Sequence, residues 1–148
     1  MHQFDLASLI WSVGGIALAV WLVAGFLFPA AGQWRDRDRL VDLEQLGPWV
    51  WGTCKVSGGT QRYRGRVWFG ELSLTRKDFG KQHLLGLGFN EVQAKVVEGQ
   101  VMVRLTLKLD DGVLEGYLWG TRYQFNPQTQ QVMSVRATAA EERAWVRV

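Results

Sequence analysis

Arginine is the commonest charged side chain in this sequence. Arg62, Arg64 and Arg66 alternate in the run QRYRGRVWF. On an extended strand, alternate residues share one face at intervals of about 6.5–7 Å. Three guanidinium groups aligned in this way can hold phosphates or partner carboxylates through charge-assisted hydrogen bonds. The competing reading is a row of long, solvated side chains on an outer face. A second run, Arg35, Arg37 and Arg39, is interleaved with Asp36 and Asp38.

Nucleophilic chemistry has less to work with. Cys54 is the sole cysteine, so no disulfide can form within the chain, and no Cys/His metal spacing exists. Cys54 and His83 would make a thiol/imidazole pair, but no signature surrounds either residue. Asp110 and Asp111 read as turn residues, and Glu141 and Glu142 as part of a polar tail. The GLG at 86–88 follows no strand-to-helix pattern that would cradle a phosphate. These readings point to a noncatalytic protein with no catalytic residue, no metal and no cofactor. The net charge of +3 includes no reading motif, which argues against nucleic acid.

Aromatic residues form a third set. Trp49 and Trp51 share a strand face, as do Tyr117 and Trp119, and Trp68 ends the arginine run. Such residues line a ligand cavity, form an interface patch, or simply pack a core.

The elements that position these groups begin with an apolar segment. Leu6 to Phe28 has no charge, and Ser8 and Ser12 are its only polar side chains. As a helix it reaches about 34 Å, enough to span a bilayer with some tilt. A cleavable signal peptide would have a basic start and a shorter apolar core, so a retained anchor is expected. Arg35, Arg37 and Arg39 follow the segment and no Lys or Arg precedes it, so the positive-inside count leans the C-terminal domain toward the cytoplasm. Ser8, Ser12, Gly15 and Ala19 stack on one helix face, where small residues let another helix approach. Gln33 to Leu46 shows i, i+3 charge pairs and a partial apolar stripe, read as a juxtamembrane helix. Trp34 then falls where interfacial tryptophans collect.

From Trp49 the period becomes two. Val101, Val103, Leu105, Leu107 and Leu109 share one face, with Met102, Arg104, Thr106 and Lys108 on the other. Glu91 to Val97 repeats the alternation and reads as a strand, joined to the next by a tight turn at 98–100. Asp110-Asp111-Gly112 is a hairpin signal before Val113 to Trp119, and Asn126 to Thr129 turns between Tyr123–Phe125 and Gln131–Arg136. Gly70 marks a bulge or bend within Tyr63 to Thr75, and Leu84 to Phe89 is an apolar piece of either kind.

The expected architecture is a single transmembrane α-helix followed by a small all-β antiparallel meander, barrel or sandwich, of about seven or eight strands. The divisions are a short tail (1–5), the membrane helix (6–28), a juxtamembrane helix or linker (29–48), the β domain (49–138) and a tail with a short helical turn (139–148). The expected location is a membrane, crossed once (the cell inner membrane if bacterial). The expected partners are the lipid bilayer and other membrane protein subunits. Arg62, Arg64 and Arg66, with Trp34, Arg35, Arg37 and Arg39, are the candidate headgroup or anion contacts. The function expected is that of an accessory or assembly subunit of a membrane complex. The rival is a tethered module that binds a small apolar or lipidic ligand inside a barrel.

Overall fold

The structure, a computed structural model, describes residues 6–148, and within the N-terminal helix it describes the side chains of residues 10–21 and 23. The tail at 1–5 and the side chain of Ser8 lie outside that description. Helix α1 (Leu6–Leu27) is followed by strands β1 (Gly32–Asp36), β2 (Arg39–Leu46), β3 (Trp49–Val56), β4 (Gly59–Trp68) and β5 (Glu71–Phe79). Two short helices follow, α2 (Lys81–Gly86) and α3 (Glu91–Val97). Strands β6 (Val101–Asp110), β7 (Val113–Phe125) and β8 (Val132–Arg147) complete the chain. Each strand pairs antiparallel with the next, and β8 pairs with β1, so the eight strands close into a barrel in sequence order. Over the described residues, no helix is long and apolar enough to cross a membrane.

Alternation builds the wall. In β6, Val103, Leu105 and Leu107 are buried and Arg104 and Lys108 exposed, in the phase expected. Met102 is buried as well, where the β5–β6 register shifts between Arg76 and Lys77. The interior is filled with side chains: Trp34, Trp145, Leu72, Leu74, Leu107 and Leu114 are fully buried. Tyr63 meets Trp145 edge to face, ring centroids 5.6 Å apart. Burying large side chains supplies most of the drive to fold, at about 1.5–3 kcal/mol each. Tight coiling needs close strand approach: a Cβ on Gly65 would overlap the Ser73 carbonyl, and one on Gly116 the Thr106 carbonyl.

Five expectations are corrected. Residues 29–48 are not a juxtamembrane helix: they hold the β1–β2 hairpin, so the β domain begins at Gly32 rather than 49. Burying Val41 and Leu43 alternately outweighs surface pairs worth a few tenths of a kcal/mol. The two-residue turn Arg37–Asp38 sets Arg37 at φ 58°. Trp34 accordingly lies in the barrel and not at a membrane interface, its indole N–H donating to the Ala30 carbonyl at 2.8 Å. Glu91–Val97 is a helix, because Asn90 and Gln93 form a reciprocal capping box and Ala94 and Val97, three apart, are the buried pair. Residues 139–147 extend β8 along β7 instead of forming a helical turn. The segment 63–75 is a hairpin, turning at Phe69–Gly70.

Closure is narrow but braced. β1 and β8 share two residue pairs, Trp34 with Arg147 and Arg35 with Val146. Arg147 also donates to the carbonyls of Pro29 and Ala31, both at 2.8 Å, and its guanidinium lies 4.9 Å from the Trp34 ring centroid. The strands alternate in direction, so α1, Pro48, Phe69–Gly70 and Asp111–Gly112 lie toward one end of the barrel. The β1–β2 turn, α2, α3 and the turn at 126–131 lie toward the other.

Candidate functional site: an arginine and tryptophan groove on the barrel wall

Strand register brings two of the expected residue sets together. Trp49 on β3 pairs with Arg66 on β4, which pairs with Ser73 on β5, then Thr106 on β6 and Tyr117 on β7. The next outward row reads Trp51, Arg64, Thr75, Arg104, Trp119. A third row places Thr53 beside Arg62 and Lys77. An open groove of about 1110 Å³ runs over β3 to β6, lined by Trp49, Trp51, Arg62, Arg64, Arg66 and Arg104 among others. Its floor of Ser73, Thr75 and Thr106 is low because those side chains are short.

The arginines differ in how they are held. Arg62 is stacked on Phe79, 4.6 Å from its centroid. Thr75 Oγ1 donates to the Arg64 carbonyl at 3.1 Å, fixing the groove floor. Trp51 donates from its indole N–H to Glu44 Oε2 at 2.8 Å, so that ring is oriented. Arg104, which sequence reading set only on the outer face of β6, is the fourth guanidinium; cross-strand register reveals it.

The other expected residues fall elsewhere. Tyr117 and Trp119 pack against each other at 6.1 Å on the same wall but beyond the groove. Trp68 is exposed at the end of β4, in edge contact with Phe69. Arg35, Arg37 and Arg39 are exposed on the β1–β2 hairpin, whose turn points away from α1. On α1, Gly14, Ala17, Leu18 and Trp21 face the barrel around Pro48, Val67 and Trp68. Ser12, Gly15 and Ala19 lie about 140° round the helix from that side. A Cβ on Gly15 would meet nothing within 4 Å.

A second polar cluster lies inside the barrel, where period two along β4 and β5 turns Gln61, Tyr63, Arg76 and Asp78 inward. Asp78 is fully buried. Arg76 grips it, Nε to Oδ1 at 2.8 Å and a terminal nitrogen to Oδ2 at 3.2 Å. Gln61 donates to Oδ2 at 3.2 Å, and His83 Nε2 lies 3.0 Å from the same oxygen. Both oxygens of the carboxylate are therefore engaged, and the cluster ties α2 to the barrel end. This network spends His83, so no thiol/imidazole pair forms. Burial pushes the Cys54 thiol up, opposite to what a nucleophile needs. Burial likewise raises the Tyr63 phenol far above its ordinary value. Among the described residues, no group of three His, Cys, Asp or Glu is placed to hold a metal ion.

Comparison of the chain with protein-family models, with characterised proteins and with solved structures gives no match.

Proposed function

We propose that this chain is a membrane-anchored, noncatalytic β barrel that serves as an accessory or assembly subunit of a membrane complex, docking an acidic segment of a partner subunit in its outer groove. One observation carries the reading. The barrel interior is filled by its own side chains, whereas tryptophan and arginine are arrayed together on the outside. Exposed Trp and Arg in one patch are the residue types that anchor protein interfaces. Carboxylates match the guanidinium fork in shape and charge. The packed interior gives the rival, a lipidic ligand held inside the barrel, no supporting observation.

Anchoring is supported by the charge-free run at 6–28 and by the exposure of Ile10, Trp11, Val13 and Ile16 on α1. Those side chains cover little of the barrel and suit a lipid environment. The arginines after the run favour a cytoplasmic barrel, and the Ser12–Gly15–Ala19 face suits a partner helix.

The test is purification of the full chain in mild detergent, with identification of copurifying membrane proteins, alongside the variant Arg64→Glu/Arg104→Glu. The expected result is a defined partner retained by the parent protein and lost from the charge-reversed one. Equal recovery of the same partner with both proteins would remove the groove from the reading.

A further inference from the structure

We propose that the tip of the β4–β5 hairpin, Trp68 and Phe69, enters the bilayer surface beside α1 and forms a second lipid contact; this rests on α1 being a membrane anchor. The first observation is conformational. The two-residue turn Phe69–Gly70 holds Phe69 at φ 48° and Gly70 at φ 75°. Turns of this hand favour Asn, Asp or Gly at the first position, and a bulky aromatic there is an outlier. Local packing does not explain the phenylalanine, because it is 89% exposed. A residue that is both strained and an exposed hydrophobe points to a role outside the barrel's own stability.

The second observation says what surrounds it. Trp68, Phe69 and Gly70 line one apolar recess with Gly14, Ala17, Leu18 and Trp21 of α1. Trp21 also meets Trp49 edge to face, ring centroids 6.4 Å apart. Trp21 lies about 10 Å along the helix axis from Phe28. The hairpin tip therefore lies alongside the apolar run itself, not beyond its end. With α1 in hydrocarbon, the tip beside it is in contact with lipid.

The third observation is the order of residues leading away from the tip. Trp68, Arg66, Arg64 and Arg62 follow one another on the outer face of β4, each about 6.5–7 Å from the next. A tip of Phe, then Trp, then Arg matches the layers of a bilayer surface: acyl boundary, interfacial aromatic belt, phosphate. The occupant that fits this order is lipid, with phosphate within reach of Arg66.

Single cysteines placed in the full chain, with Cys54→Ala as background, test the contact. The sites are Phe69→Cys at the tip, Ile16→Cys on α1 and Ser57→Cys in the β3–β4 turn at the opposite end. Each is labelled with an environment-sensitive fluorophore and reconstituted without other proteins into phosphatidylcholine–phosphatidylglycerol vesicles carrying nitroxide-labelled lipid. The expected result is a blue shift and several-fold stronger quenching at position 69 than at position 57. Quenching at 69 no greater than at 57 overturns the proposal, whatever position 16 reports. Quenching at 16 without quenching at 69 removes the tip contact and leaves the anchor standing. Quenching at 69 without quenching at 16 removes the anchor on which the proposal rests and overturns it as a second contact. A tip silent in lipid but shielded in a native complex would belong to a protein interface, which also overturns the proposal.

Discussion

Replacing Asp78 by alanine tests whether the buried cluster holds the barrel end together. Asp78 is fully buried and the Arg76 side chain only 14% exposed, so the pair is screened little by solvent. Removing the carboxylate strands a guanidinium in the barrel and leaves Gln61 and His83 without their shared acceptor. Losing one partner of a buried pair costs about 3–5 kcal/mol, chiefly through the uncompensated charge. Unpaired polar groups add roughly 1 kcal/mol or more. A loss of about 4 kcal/mol is a large part of the 5–15 kcal/mol that domains usually have. With a urea slope of roughly 1–3 kcal/mol per molar, the midpoint should fall by about 2 M. The assay is urea unfolding of the full chain in mild detergent, followed by tryptophan emission, to which the buried Trp34 and Trp145 contribute. Arg76→Met/Asp78→Leu removes both charges and should recover much of the loss, since apolar pairs replace buried ion pairs at little cost. An unchanged midpoint for Asp78→Ala, or a double variant no better than the single, would refute the reasoning.

Other expectations concern the wall, the surface and alkaline pH. Leu105→Asp should unfold the barrel, because it buries an unpaired carboxylate and removes about 2–5 kcal/mol of packing, whereas Thr106→Asp, on the outer face, should be tolerated; circular dichroism separates them. Phe69→Asn should raise the unfolding free energy by about 0.5–1 kcal/mol, since Asn suits positive φ, and a fall would mean that the turn is not strained. Burial raises the Tyr63 and Cys54 pKa values, so both stay neutral in the folded state where the unfolded chain would ionise. Their contribution is full below about pH 9 and is lost as pH rises through the unfolded values toward the folded ones, so the urea midpoint should fall above about pH 10 and fall less in Tyr63→Phe. Native Cys54 should resist maleimide until the protein is unfolded in urea.

The β half of the fold was legible wherever one face meets solvent and the other the core. Leu105 and Thr106 show this, as do the Asp111–Gly112 and 126–131 turns. It failed where another local signal imitated the pattern. Arg35–Asp38 and Arg39–Asp42 pair equally well on a helix in sequence terms, and closing the barrel with Trp34 decides for strands. Val92, Ala94 and Val96 alternate like a strand, and the Asn90–Gln93 cap decides for a helix. The groove was half legible. Arg62, Arg64 and Arg66 share a face by parity, but their meeting with Trp49, Trp51 and Arg104 depends on register across three ladders. The Asp78 cluster needed the same register, because Gln61, Arg76 and His83 belong to different elements.

The narrow seam between β1 and β8 has a kinetic meaning. Arg147 reaches back to Pro29 across 118 residues of chain, next to the point where α1 ends. Every other ladder joins neighbouring strands, most of them through short turns, and can zip early; the seam must wait for the strand farthest along the chain. Until then β1 and β8 stand as open edges that can template pairing with another chain. A polypeptide whose α1 is already lodged in a bilayer would hold those edges near a surface, apart from the bulk solution in which such chains collide. Weakening the seam, as Arg147→Ala would do, should therefore appear chiefly as faster unfolding with little change in refolding rate, and as more aggregation from the opened edges.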